Sequence, residues 1–264
     1  MNKVIRAEFG RTINAGLIIA IAGIIFSICF DSFNDLIAGL RNGQGYVGYF
    51  FSNAAFGGMC TKYMLPVFTA LPFSVSLCQE RNNKAVSYIV SREGKNRYIF
   101  AKFIVSAVSG GFVAACGTGL LFLMLAMRFP IAGDEFEGAV VSDYFHEWSA
   151  VYYPQLYILT LSILAFCRGV IWSSLALCVS LYTSDFMVVL LSPFLGSYVL
   201  VRIFQIIRVP DMVRPDMILI GQVVIKSSGL TLLIAIAISL TIVTLIGAFF
   251  VGKMKEGLKS GTIY

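Results

Sequence analysis

An all-α integral membrane protein with six transmembrane helices is the fold class this sequence predicts, and three observations carry it. Of its 264 residues, 58% are hydrophobic and 13% charged, about half the charged share of a soluble domain. The apolar residues fall into long runs near the roughly 20 residues that a helix needs to cross a hydrocarbon core, and mean hydropathy is +0.84. The twenty Lys and Arg residues gather mostly at the ends of those runs, where membrane orientation signals stand. That placement accounts for the net charge of +6 without a nucleic-acid partner.

Residues 1–13 read as an interfacial helix. Val4, Ile5, Phe9 and Ile13 form its apolar side, and Lys3, Arg6 and Arg11 reach headgroups. The first span follows at 14–33. No small-residue cleavage site comes after Phe30, so this run is expected to be retained rather than removed as a signal peptide. Residues 34–58 are Gly- and aromatic-rich and read as an external loop. The second span, 59–78, contains Pro66 and Pro72, each of which removes a backbone hydrogen bond. The resulting bend is either static or shapes a cavity beside Phe68 and Phe73.

The stretch 79–102 then carries Arg81, Lys84, Arg92, Lys95, Arg97 and Lys102 against only Glu80 and Glu93. Within it, Ala85, Val86, Ile89 and Val90 share one helical face, with Asn82, Asn83, Lys84, Ser87 and Ser91 opposite. Gly94 is a stop signal. The third span, 98–127, has two small-residue ridges, Ser106-Gly110-Ala114-Thr118 and Ala107-Gly111-Ala115-Gly119. Such ridges let a second helix approach closely, within the chain or across a subunit interface. An acidic external loop, 128–155, holds the chain's one histidine, His146. A single His among scattered carboxylates lacks metal-ligand spacing.

The fourth span, 155–182, places Arg168 near its middle, where a cation costs at least ~2.5 to 3.5 kcal/mol on the insertion scale. Its guanidinium therefore faces protein, water or an anionic substrate group. After a tight turn at 183–185 the fifth span, 186–207, is interrupted at Ser192-Pro193. Residues 208–222, with two prolines and balanced charges, read as short re-entrant external helices before the sixth span at 223–251. The whole chain is one transmembrane domain. Twelve of the twenty basic residues, but five of the fourteen acids, fall on the side of both termini, which puts both ends in the cytoplasm.

Enzyme chemistry finds no support in the motifs. The tail has Gly252 and Gly257 at P-loop spacing, but Leu258 stands where the lysine belongs. No H-E-x-x-H and no G-x-S-x-G occur. The six cysteines lie in or at the ends of apolar runs and read as packing residues.

A surface helix, six spans, a basic loop after the second span and a short helix pair before the sixth resemble the membrane (permease) subunit of a type-2 ABC exporter. The closest local match is Glu80-Arg81, Lys84-Ala85-Val86, Ser91-Arg92, Arg97-Tyr98 and Lys102, although family members often have proline where Ser91-Arg92-Glu93 stands. This resemblance implies a half-transporter of the bacterial cytoplasmic membrane, with a second permease subunit, identical or homologous. It implies no cofactor on this chain, ATP and Mg being held by a separate ABC ATP-binding subunit. Glu80, Arg81, Lys84, Val86, Ile89, Ser91, Arg92 and Arg97 would form the ATPase-coupling segment within 79–97, and residues 182–185 a weaker contact. Phe68, Phe73, Phe194 and Tyr198 with Arg168 would line a path for an amphipathic peptide, an antibiotic or a lipid-like cargo. Two other readings stay open: a membrane scaffold that recruits a cytoplasmic partner, and a secondary transporter built on Arg168.

Overall fold

The apolar runs become helices because, in hydrocarbon, a helix is the one open segment that satisfies its own backbone donors and acceptors. The computed structural model describes residues 2–42, 47, 50, 58–130, 153–223 and 225–260, and all regular structure among them is helical. In order they form α1 (Asn2–Thr12), α2 (Ala15–Asp31), α3 (Phe33–Asn42), α4 (Met59–Ala70), α5 (Ser76–Asn82) and α6 (Val86–Glu93). There follow α7 (Lys95–Ala126), α8 (Pro154–Val179), α9 (Phe186–Ile207), a 3-10 turn (Asp211–Val213), α10 (Pro215–Ile220) and α11 (Ser228–Ser260). Four of them, α7, α8, α9 and α11, are long and apolar enough to cross a membrane. The α1–α2 pair, bent by 56°, makes a fifth if it is counted as one span. This set is compatible with a multi-pass membrane protein.

The expected second span is not one helix. Pro66 sits inside α4 without ending it, but the chain leaves the helix over residues 71–75, around Pro72, before α5 begins. Proline supplies no N–H and its ring clashes with the preceding turn. The break is tied to its surroundings from both sides: Asn14 Nδ2, at the N-cap of α2, donates to the Pro72 carbonyl at 3.4 Å, and Ser74 Oγ of the break donates to the Ser173 carbonyl of α8 at 2.9 Å. A second difference lies at 34–42, read from the sequence as the start of an external loop and found within helix α3. Much of the two expected external loops, at 43–57 and 131–152, lies outside the described residues.

Helices α7 and α8 make the most extensive contact in the bundle, and the small-residue ridges explain it. A Cβ on Gly169 would run into the backbone of Gly110 and Gly111, and one on Gly110 into Ser173. With no side chain on either side, the two backbones touch. Ser106 Oγ of α7 donates to the Ser173 carbonyl of α8 at 3.4 Å across the same seam. The ridges thus serve packing within the chain. Gly117, about two turns beyond Gly110, faces Ile24 of α2 instead.

Half or more of the apolar windows of α7 and α8 is buried, against 22% for α9 and 11% for α11. The first two are therefore the centre of the bundle and the last two its rim. At 32 residues, α7 is about 48 Å long, well beyond a hydrocarbon core of roughly 30 Å. Around its Lys95–Lys102 end gather α1, α5 and α6.

Candidate functional site

At that end the structure assembles a buried charge cluster from three helices. Lys102 of α7, with 0% of its side chain exposed, donates to Glu80 Oε1 of α5 at 2.7 Å and to Glu8 Oε2 of α1 at 3.1 Å. Its third donor reaches Ser76 Oγ at 3.0 Å, and its ammonium lies 4.6 Å from the centre of the Phe73 ring. Arg11 bonds the same two carboxylates, Glu80 at 2.7 Å and Glu8 at 3.2 Å. Tyr98 donates to the remaining oxygen of Glu80 at 2.6 Å. Two anions meet two cations and all three donors of the buried Lys102 ammonium are used, which is the condition under which buried charge is tolerated.

The next residues fasten this end to the turn after α8. Arg81 Nη1 donates to the carbonyls of Ser180 (2.9 Å) and Leu181 (3.2 Å), which α8 leaves without helical partners. Asn82 Nδ2 donates to the Ser184 carbonyl at 3.2 Å. The segment 79–83 and the turn 180–185 are thus in direct contact. Asp185 then caps α9 by accepting from the Met187 N–H at 2.8 Å.

Helix α6 turns its apolar face inward. Val86 is fully buried among Leu77, Tyr98, Leu177, Phe250 and Met254, so it is no exposed anchor for a partner, contrary to expectation. Glu80 and Arg81, expected in the ATPase-coupling segment, are engaged in the contacts above. What α6 and its flanks leave exposed is Lys84, Tyr88, Ser91, Arg92 and Arg97, with Tyr88 at 69%. Ile89 is half-buried and lines a cleft of about 590 Å³ between α5–α6, the start of α2 and Phe186. Gly94, at φ +85°, reverses the chain into α7.

The residues expected along a path divide. Phe68 packs over Gly23 of α2 and Phe73 is 1% exposed beneath Lys102, so neither joins Arg168. Phe194 and Tyr198 of α9 each set a ring 6.0 Å from that of Tyr63 on α4. Arg168, 9% exposed, lines a separate cavity of about 170 Å³ enclosed by α4, α8, α9, α10 and α11. Beside it Arg214 grips Asp216 through Nε (3.2 Å) and Nη2 (2.8 Å). The Asp216 carboxylate, by its hydrogen bond first, raises the Arg214 pKa further above its ordinary value, so this guanidinium stays charged.

No protein-family model, curated protein or solved structure matches the chain. Function has to be argued from the geometry. Among the described residues no three His, Cys, Asp or Glu side chains converge as metal ligands.

Three participants escaped the sequence reading. Glu8 carried a signal, as the one acid in the first thirty residues, three positions before Arg11. Lys62, which lines the Arg168 cavity, is likewise a lone charge in an apolar run. Ser180 gave none, since it contributes only its carbonyl.

Proposed function

We propose that the chain is the permease subunit of an ATP-driven exporter of the type-2 ABC class, in the bacterial cytoplasmic membrane, with both termini in the cytoplasm. Six crossings are completed by the broken α4–α5 segment and the bent α1–α2 pair. A second subunit, identical or homologous, would cover the exposed faces of α9 and α11. A separate ATP-binding subunit, which holds ATP and Mg, would dock on the end that carries α6.

The observation that supports this most is the fastening of residues 79–102 to everything around them. Glu80 ties α5 to α1 and α7, and Arg81 ties it to the turn after α8. A displacement applied at exposed α6 is therefore delivered to four helices together, because short charge-assisted bonds hold their geometry under load. A loop that merely reconnected two spans would need no such anchorage. The exposed residues Lys84, Arg92 and Arg97 around Tyr88 suit a partner groove with acidic rims and an apolar floor.

The test is capture of the ATP-binding subunit by affinity-tagged chain in detergent. Tyr88→Asp with Arg92→Glu changes only exposed side chains and should lose the partner while the chain stays monodisperse. Val86→Asp should instead unfold this end, since it buries a charge. Retention of the partner by the double variant would refute the docking face, and transport by the chain alone in liposomes would refute the proposal itself.

A further inference from the structure

The cavity around Arg168 is polar in an unusual way. It is walled mainly by apolar side chains, Ile171, Trp172 and Leu175 of α8 with Ile242 and Ile246 of α11 among them, yet Arg168 and Lys62 both open onto it. Neither cation makes a hydrogen bond or ion pair among the described residues. The carboxylate at the cavity wall, Asp216, is already held at two points by Arg214. Arg168 is more than nine-tenths buried, and a buried guanidinium with all its donors idle is costly unless something supplies an acceptor. In the cluster at the other end, by contrast, each cation has its carboxylates in place.

We infer that this cavity binds the head group of an amphipathic anion, a carboxylate or phosphate carried on an acyl-like chain. The planar guanidinium of Arg168 matches two oxygens of such a group, and the Lys62 ammonium adds a second, adjustable charge. At about 170 Å³ the cavity is smaller than the roughly 300 Å³ from which pockets for whole drug-sized ligands start. It therefore admits the head group and the first methylenes only. Leu200 lines the cavity and is also 37% exposed, which places the mouth on α9. Beyond it Leu195 and Val199, 59% and 51% exposed, offer the rest of the chain an apolar track. A neutral lipid would leave both cations unpaired, and a cationic amphiphile would be repelled.

The test uses the purified full-length chain in neutral detergent, with no ATP-binding subunit. The chain has two tryptophans, and Trp148→Phe leaves Trp172, in the cavity wall, as the sole emitter. Titration with 6,7-dibromostearate should quench it saturably: its bromines would stand at the mouth, where the Trp172 ring meets Gly196 of α9, and bromine acts at contact range. The uncharged glycerol ester of the same dibrominated acid should bind at least about tenfold more weakly, and dibromostearate should lose about tenfold in Arg168→Gln or Lys62→Gln, on the scale of one charged hydrogen bond. Lys62 is partly exposed, so Lys62→Gln reads the same loss if Arg168→Gln fails to fold. Equal quenching by the acid and its ester, or unchanged affinity in the folded variants, would overturn the inference. Mass spectrometry of lipid retained by the wild-type chain identifies the source. A co-purifying anionic phospholipid, reduced in Lys62→Gln, identifies a bilayer head group; dibromostearate binding without one identifies a free acidic amphiphile. Binding here does not require the exporter reading, which stands or falls on capture of its ATPase.

Discussion

Replacing Lys102 by methionine removes the ammonium that joins Glu8, Glu80 and Ser76 while keeping most of the side-chain volume. The two carboxylates it leaves are 5% and 10% exposed, so water does not replace the lost donors. Breaking a buried pair from one side costs about 3 to 5 kcal/mol. Arg11 still reaches both carboxylates but is 53% exposed, so it compensates in part, and the lower end, about 3 kcal/mol, is expected. At roughly 2 to 4 °C per kcal/mol for a chain of this size, the unfolding midpoint in detergent should fall by roughly 6 to 12 °C. The combination Lys102→Met, Glu8→Gln and Glu80→Gln removes the stranded charges as well, and should recover at least half of the loss, as neutral replacements of buried ion groups do. A single variant that melts within about 2 °C of wild type, or a triple variant no more stable than the single one, would refute the view that these charges hold α1, α5 and α7 together.

Arg81→Ala should cost about 1 kcal/mol, below the usual range for charged hydrogen bonds because the side chain is partly exposed; amide exchange across residues 180–185 should quicken, while that of α2 stays unchanged. Gly169→Val should lower stability by about 3 kcal/mol or prevent folding, since its new atoms meet the backbone of α7, which cannot step aside. Gly119→Ala on the facing helix α7 is the control: the nearest atom to its Cβ is Ser162 Oγ at 4.0 Å, so stability should hold or rise by up to the ~1 kcal/mol of helix propensity. Asp31→Ala should cost about 1 kcal/mol, measured by the same melts, because Asp31 of α2 accepts from the Cys60 N–H (2.9 Å) and the Thr61 N–H (2.6 Å) at the start of α4.

Much of this architecture was legible because it is local. Apolar run length marks α7, α8, α9 and α11, and a helical repeat of small residues marks the face of α7 that packs. Pro72 announced a disturbance in the second span, and Arg168 stood out because a charge at that depth needs a reason. The apolar stripe of α6 was equally plain, but what covers it was not. Val86 meets the chain's own α7, α8 and α11, and a stripe reads the same whether its cover is a partner or the next helix.

Pairing across long stretches of sequence is where local reading stops. The carboxylates of residues 8 and 80 come within 3.1 Å of the Lys102 ammonium only because α1 and α5 pack on the same end of α7. Helix-forming and membrane-partitioning tendencies are properties of each segment and its solvent, so the sequence alone settles them. Which charge neutralises which, and that Arg168 and Lys62 form no ion pair among the described residues, depends on the relative placement of helices, and only the packed structure decides it.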